Sequence, residues 1–291
     1  MVITRVLVAG CGDIGASIAT NWAEKGAHVS AVRRTGTDFP EGVSGITADL
    51  TNISPSQLPD VDLIYLIMTP QGRTEQAYRS AYVDTAKALE SRYAKEDQKS
   101  TPKLIFVSST SVYGENQGEW IDESSIAKPQ KDTAKCLLQA EQILSDAFGA
   151  CSARCSGIYG PGRYRLIEKV KSATEWGINS WTNRIHRDDV VSGLMLLGER
   201  LLDGAAQENK TSPLPHVILT DDTPVSMWEV KLWIASRIGA TVNAGDGCDF
   251  IPQSGKRIQA NYLKECGWML TYPSYVLGYE QLLLEKGEVV R

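Results

Sequence analysis

Residues 5–16 read RVLVAGCGDIGA: an apolar run, three glycines within six positions, and the opening of an amphipathic stretch. No other feature constrains the fold as strongly. The Val/Leu run has the length of a short buried strand, and Ile14, Ile18 and Trp22 fall on one stripe of a helix predicted over 13–25. In such a turn Gly10 permits the sharp reversal, Gly12 lets the backbone approach a bound group, and Gly15 lets helix and strand pack closely. The helix start, with its unpaired amides and partial positive charge, then favours a diphosphate. HVSAVRR (28–34) supplies the next strand, completing the strand–loop–helix–strand context that a dinucleotide-binding turn requires. Gly10, Gly12, Asp13, Ile14 and Gly15 are therefore read as cofactor-binding.

The same alternation continues. LIYLIM (63–68) and KLIFVSS (103–109) read as further strands. A helix over 75–93 is lined by Ala77, Ala81, Ala86, Leu89 and Tyr93; another over 133–148 turns Leu137, Ala140, Ile143, Leu144 and Phe148 inward. Residues 150–162, ACSARCSGIYGPG, read as one strand ending in a Gly/Pro turn. Beyond Gly160 the regularity falters. Helices are predicted at 164–173, at 188–202 and from Pro224 to 239, with a late strand HVILTD (216–221) and a closing segment YPSYVLGYEQLLLEK (272–286). Residues 203–215 are the most loop-like, and there is no internal repeat. Strands alternating with helices predict an α/β protein built on a parallel sheet.

Composition narrows the function classes. The chain has 291 residues, 42% hydrophobic and 22% charged, with a formal charge of -5 and no Lys/Arg run, which argues against a nucleic-acid partner. No apolar stretch approaches the roughly 20 residues that span a bilayer. Arg5 before an apolar run mimics a signal peptide, but the run has only a strand's length and meets the glycine loop at once, so it reads as a core strand. Six scattered cysteines (Cys11, Cys136, Cys151, Cys155, Cys248, Cys266) fit reduced thiols and a cytoplasmic location. Cys151 and Cys155 lack a second ligand pair nearby, so no metal site is expected.

At the end of the second strand, where an acidic residue would grip the ribose of NAD, this chain has Arg33 and Arg34. A guanidinium fork pairs with a 2′-phosphate that a carboxylate would repel, so NADP(H) is favoured over NAD(H). Asp49 and Leu50 follow the next short strand, placed to approach the adenine edge.

With the glycine loop and Asp49-Leu50, the segments FVSSTSVYGE (106–115), RCSGIYGPGR (154–163), NRIHRDDVV (183–191) and SGKRIQANYLKECGW (254–268) form an ordered set. In that set the chain resembles the extended short-chain dehydrogenases/reductases, specifically the NAD-dependent epimerase/dehydratase branch and its YeeZ-like members. The resemblance implies a Rossmann doubly wound parallel sheet with a small, discontinuous C-terminal substrate domain. The expected division is 1–157 for the NAD(P)-binding domain and 158–291 mainly for substrate, with 188–202 and 216–221 returning to the first. It also implies that Thr69 and Ser108 contact cofactor, and that Ser109 orients the substrate. Thr110, Arg73 and Arg184 lie in segments expected to converge over the nicotinamide.

One departure stands out. The family's proton chemistry uses a tyrosine and a lysine four residues apart, the lysine lowering a phenol whose free pKa is about 10. Counting back from AEQIL (140–144), those positions hold Thr133 and Leu137; no tyrosine lies between Tyr113 and Tyr159, and Lys135 projects from the opposite helix face. The catalytic candidates left are Ser109, Tyr113 and Thr133, and the substrate-side candidates are Ser109, Tyr159, Arg163 and His186. His186 has two readings, a pocket residue or a ring held at a helix start by Asp188 or Asp189. Trp176 and Trp181 either cover the pocket or pack in the core. By the family pattern the helices at 75–93 and 133–148 pair with a second subunit as a homodimer; they equally suit covering the sheet. No Gly-x-Ser-x-Gly elbow is present, which argues against acyl hydrolysis. The sequence thus implies an NADP-dependent oxidoreductase or epimerase acting on a small hydroxylated or carbonyl substrate, sugar-like in kind, with an atypical active site. The alternative is a non-catalytic NADP(H)-binding sensor or scaffold.

Overall fold

A computed structural model describes residues 3–94, 101–172, 175–203, 215–243 and 250–288; Cys248 and most of the loop predicted at 203–215 lie outside them. The chain opens with β1 (Arg5–Ala9), α1 (Asp13–Glu24), β2 (His28–Arg33), β3 (Val43–Thr47) and β4 (Leu63–Leu66). A helical run then passes through α2 (Glu75–Tyr78), a π-helical stretch (Arg79–Asp84) and α3 (Thr85–Tyr93). Next come β5 (Lys103–Ser109), β6 (Gln117–Ile121), α4 (Asp132–Phe148), β7 (Cys151–Cys155), β8 (Gly157–Tyr159) and α5 (Arg165–Lys171). The remainder is β9 (Trp181–Thr182), β10 (Arg184–His186), α6 (Arg187–Leu202), β11 (His216–Leu219), β12 (Val225–Ser226), α7 (Met227–Ile238), β13 (Gly255–Ile258), α8 (Tyr262–Glu265) and α9 (Tyr275–Glu285).

Seven strands form the main sheet in the order β11-β7-β5-β4-β1-β2-β3, with parallel register from β3 through β5. This is the Rossmann-like α/β arrangement. Strand order reverses at β1, which lies between β2 and β4, so the crevice at its carboxyl end is the natural ligand position. Burial follows sheet position: β4 is buried throughout, whereas the edge strand β3 carries exposed Ser44, Gly45 and Thr47. On α1 the buried stripe contains Ile14, Ile18 and Trp22. The Trp22 indole donates to the Tyr65 hydroxyl (3.0 Å), which donates to the Leu194 carbonyl (3.1 Å), joining α1, β4 and α6 through satisfied buried polar groups. Gly198 makes this possible, because a Cβ there would overlap the Tyr65 hydroxyl.

The chain divides into two compact units. The first comprises Met1–Tyr113, Ala127–Arg154 and Val191–Val217; the second comprises Gly114–Ile126, Cys155–Val190 and Ile218–Arg291. Residues 114–126 therefore cluster with the second unit, not with the first as the sequence suggested. The reason is strand pairing: β6 runs parallel to β13, with Gln117 opposite Gly255 and Ile121 opposite Ile258. Within the second unit β8 pairs with β10 and β9 with β12, and α5, α7 and α9 share a core that includes Ile167, Val230, Ile234, Tyr279 and Leu282.

Three local predictions change form. The strand expected over 150–162 is two strands: β7 lies in the main sheet, while β8 pairs with β10. The helix expected from 224 starts later, because Val225 and Ser226 form β12 and the Ser226 hydroxyl then caps α7 by accepting from the Glu229 amide (3.1 Å). The helix at 75–93 contains the π-helical stretch. Among the described residues no helix is long and apolar enough to cross a membrane, and no group of three or more His, Cys, Asp or Glu side chains is placed to hold a metal. Among the described residues Cys11, Cys136, Cys151, Cys155 and Cys266 form no disulfide, and burial pushes Cys151 and Cys155 up to about 12.

Candidate functional site

The glycine turn has the three geometries its spacing requires. Gly10 adopts φ +110°, and a Cβ there would overlap the Ile67 carbonyl oxygen. A Cβ on Gly15 would overlap the Gly10 carbonyl, whereas one on Gly12 would meet nothing within 4 Å. Gly10 and Gly15 thus serve close backbone packing, and Gly12 leaves open the space a ligand would use. The loop is fastened to β2 by the Gly10 and Cys11 amides, which donate to the Val32 carbonyl at 3.0 and 2.8 Å. The first intrahelical bond of α1 is Ala16 N to Gly12 O (2.7 Å), so the first-turn amides precede the hydrogen-bonded ladder. Asp13 is exposed beside them, and Ile14 is buried beneath.

A cleft of about 190 Å³ brings Gly10, Gly12, Arg33, Arg34, Leu50 and Thr69 together. A further cavity of about 290 Å³ is lined by Arg34, Asp49, Thr69 and Gln71. Arg33 donates to the Asp38 carbonyl (2.8 Å) and stands over the Phe39 ring (5.9 Å). Gln71 faces Arg34, its amide oxygen accepting from both terminal nitrogens at 3.0 and 3.2 Å in the orientation that satisfies both partners. Asp49 accepts from the Thr51 amide and hydroxyl (2.9 and 2.8 Å); these bonds, helped by the charge of Arg34, hold its carboxyl below the usual range.

Behind β5 lies a buried polar network. Ser108, 4% exposed, donates to Glu141 (2.5 Å); Arg154 binds Glu141 at 2.7 Å and donates to the Tyr113 hydroxyl at 3.0 Å. Ser108 and Tyr113 are therefore held in the interior. A proton-transfer role for Tyr113 would require its hydroxyl to leave Arg154 and its ring, 1% exposed, to leave the core. Sequence reasoning assigned no role to Glu141 or Arg154. Their signal was a charged residue on an inward helix stripe and another inside a strand, CSARC, that is buried along its whole length. Ser109 is half-buried, its Oγ accepting from the Ser111 amide (3.2 Å). Thr133 is half-buried at the first turn of α4, Leu137 is buried one turn later, and Lys135 is exposed and paired with Asp132 (2.8 Å).

The second unit contains a cavity of about 700 Å³ with Tyr159, Arg163, Trp181 and Arg184 in its wall. Tyr159 donates to the Ser274 carbonyl (3.3 Å) and stacks on Tyr279 (4.8 Å); burial moves its phenol far above the ordinary value. His186 is fully buried and absent from the cavity wall. Its Nδ1 accepts from the Asp188 amide (3.3 Å), its ring lies 3.8 Å from that of Tyr272, and desolvation lowers its pKa. Asp189 instead accepts from the Thr271 and Tyr272 amides (2.7 and 3.0 Å). Asp188, not Asp189, is the partner of the His186 ring, at the start of α6.

The family model for the NAD dependent epimerase/dehydratase family matches residues 6–209. The chain belongs to that family. Among relatives, the Escherichia coli K12 protein YeeZ is 27% identical over 207 residues, covering 66% of this chain and 72% of its own. Short-chain dehydrogenase/reductase family 42E member 1 of Xenopus laevis is 23% identical over 257 residues, 78% of this chain and 65% of its own. Among solved structures, a Methylobacillus flagellatus protein that carries a provisional NAD-dependent epimerase/dehydratase name superimposes with a TM-score of 0.79 at 30% identity, covering 99% of this chain and 100% of its own. UDP-glucuronic acid 4-epimerase of Bacillus cereus in complex with NAD shares the fold, with a TM-score of 0.73 at 17% identity and 98% coverage of each chain. In this family member the cleft lies on the glycine turn, and α4 has Thr133 and Leu137.

Proposed function

We propose that the chain is a cytoplasmic oxidoreductase or epimerase that uses a nicotinamide coenzyme, NADP(H) in preference to NAD(H), on a small hydroxylated or carbonyl substrate of sugar-like kind. The observation that carries this reading is the presence, in one cleft, of the glycine turn and the Arg33–Arg34 pair. The residues suit the coenzyme: Gly12 leaves open space beside the first-turn amides of α1, which favour a diphosphate, and Arg33 and Arg34 line the same cleft with the guanidinium chemistry that pairs with a 2′-phosphate. Family membership supports the coenzyme class and the reaction class together.

When bound, the coenzyme supplies hydride exchange at its nicotinamide ring. The chain's own part is to hold the diphosphate on the glycine turn and to orient a substrate hydroxyl or carbonyl through Ser109. The step that differs is proton transfer, because Thr133 offers an alcohol and Leu137 offers no charge where the family's resemblance implies a phenol and an ammonium. Calorimetric titration with NADPH and NADH tests the coenzyme assignment. NADPH is expected to bind at least about tenfold tighter, one good charge-assisted contact; tighter NADH binding overturns the assignment.

Thr133 and Leu137 favour a second reading, a non-catalytic NADP(H)-binding sensor or scaffold. Coenzyme consumption across a panel of aldehydes, ketones and nucleotide sugars separates the two: turnover supports the enzyme, and tight NADPH binding with no turnover supports the sensor. The homodimer through Glu75–Tyr93 and α4 belongs to the first reading, and sedimentation equilibrium tests it.

A further inference from the structure

The cavity of the second unit contains two cations, Arg184 and Lys231, that no described residue neutralises. Arg184, 6% exposed, donates from Nη1 to the Thr182 hydroxyl (2.6 Å) and from Nη2 to the Met227 sulfur (3.4 Å). Lys231, 2% exposed, lies one helical turn beyond Met227 on α7, donates from Nζ to the Trp176 carbonyl (3.0 Å) and stands over the Trp176 ring (5.3 Å). Among the described residues neither has a carboxylate at ion-pair distance. Nor, among the described residues, does the buried indole N–H of Trp176 have an acceptor. All three side chains line the same cavity of about 700 Å³.

A buried cation met by neutral groups such as hydroxyls, a thioether or a carbonyl is costly, because none of them replaces the counter-charge it lacks. The acids at hand do not supply that charge. Asp221 acts on Arg184 only from beyond ion-pair distance, and burial pushes its carboxyl up to about 8, so it is largely neutral near pH 7. Among the described residues, six Arg and Lys side chains line the cavity, including Arg163, Lys169 and Lys256, against one carboxylate, Glu115. Burial, reinforced by the charge of Lys169, pushes Lys231 down to about 8, a shift that a bound anion would reverse. The cavity is therefore short of negative charge, and it has the volume of a small-molecule site.

We propose that this cavity recognises an oxyanion, the carboxylate or phosphate monoester of a small substrate, through the Arg184 guanidinium and the Lys231 ammonium, with the Trp176 indole N–H as a third donor. As substrate recognition the proposal rests on the coenzyme-dependent reading above and narrows its substrate to an anionic one. The anion offsets the cost of the two buried cations, so binding should stabilise this unit, and removing the Lys231 charge should not destabilise the ligand-free protein.

The test uses the full chain in saturating NADPH, which fills the glycine turn and leaves only other anion sites to titrate. Inorganic phosphate and malonate are titrated separately by calorimetry, with Trp fluorescence as a second readout. Saturable binding of phosphate alone marks a phosphate monoester, and of malonate alone a carboxylate. In either case affinity should fall at least tenfold in Lys231→Met and in Arg184→Met, while Lys231→Met has a ligand-free Tm equal to or above that of the original protein. Arg184→Lys, which keeps the charge, should retain weakened binding and covers the case in which Arg184→Met does not fold. The proposal is overturned if neither anion binds saturably, or if both Lys231→Met and Arg184→Lys bind as the original does. It is likewise overturned if Lys231→Met loses ligand-free Tm and keeps its anion response, because the lysine would then only brace the Trp176 carbonyl. Failure to bind NADPH is read in the same calorimeter and sinks the coenzyme assignment alone, since the loss of anion affinity in Lys231→Met and Arg184→Lys still distinguishes this cavity from the glycine turn.

Discussion

Gly12 and Gly15 sit three residues apart, yet an added methyl group should do different things at each. A Cβ on Gly15 would overlap the Gly10 carbonyl, whereas a Cβ on Gly12 would point into empty space in the ligand-free protein. Gly12→Ala should therefore fold with little change in Tm and lose coenzyme affinity by at least about tenfold, roughly 1.4 kcal/mol. Gly15→Ala should lose both Tm and affinity. Differential scanning fluorimetry beside an NADPH titration separates the two, and equal Tm losses would contradict the assigned roles. At Asp221 the argument concerns pH. Its folded carboxyl titrates at about 8, far above the 3.9 of an unfolded aspartate. Between those values the folded chain keeps a proton that the unfolded chain has released, so stability falls as pH rises, by at most about 1.4 kcal/mol per unit. Asp221→Asn keeps the oxygen that accepts from the Thr223 amide (3.2 Å) and removes the titration. Urea denaturation should show the variant more stable than the original at pH 8, with the margin closing toward pH 4.

Among the elements, β5, α4 and β7 meet at one buried ion pair. Glu141 and Arg154 have side chains 8% and 5% exposed, and Ser108 and Tyr113 complete their hydrogen bonding. Removing one partner leaves the other charged and dry, so Glu141→Met and Arg154→Met should each cost about 3–5 kcal/mol. The double variant should cost clearly less than their sum, because it leaves no unpaired charge. Denaturant midpoints for the four proteins measure this; additive losses would mean that the pair is not a unit. The same elements show what a sequence window can read. The strand KLIFVSS matches β5 residue for residue, since apolar runs and β-branched residues act locally. The break at Ser156 was not legible, because it depends on partners: β7 pairs within the main sheet, and β8 pairs with a strand about 27 residues further on. Nor does periodicity distinguish the π-helical stretch at Arg79–Asp84 from the α-helix around it. The cleft residues Gly10, Gly12, Arg33 and Arg34 were legible because one contiguous motif carries them, whereas Lys231 and Glu141 needed the tertiary structure to show which charges are buried.

At the scale of the molecule, coenzyme binding and stability are linked. A ligand that binds only the folded chain stabilises it by about 2.7 kcal/mol at a concentration 100 times its Kd. NADPH at that level should raise the unfolding free energy by this order and slow amide exchange at residues 10–15 and 33–35; unchanged exchange there would place the ligand elsewhere. The chain also weaves between its two units, since residues 114–126 join the second by pairing with β13 from about 140 residues later and by the Glu123 carboxylate, which accepts from the Asn261 and Tyr262 amides. During synthesis on a ribosome, β6 therefore emerges long before its mate and must wait with its hydrogen-bonding edge open. A chain terminated anywhere before residue 255 would leave that strand permanently bare, a target for chaperones and for sticking to its own kind.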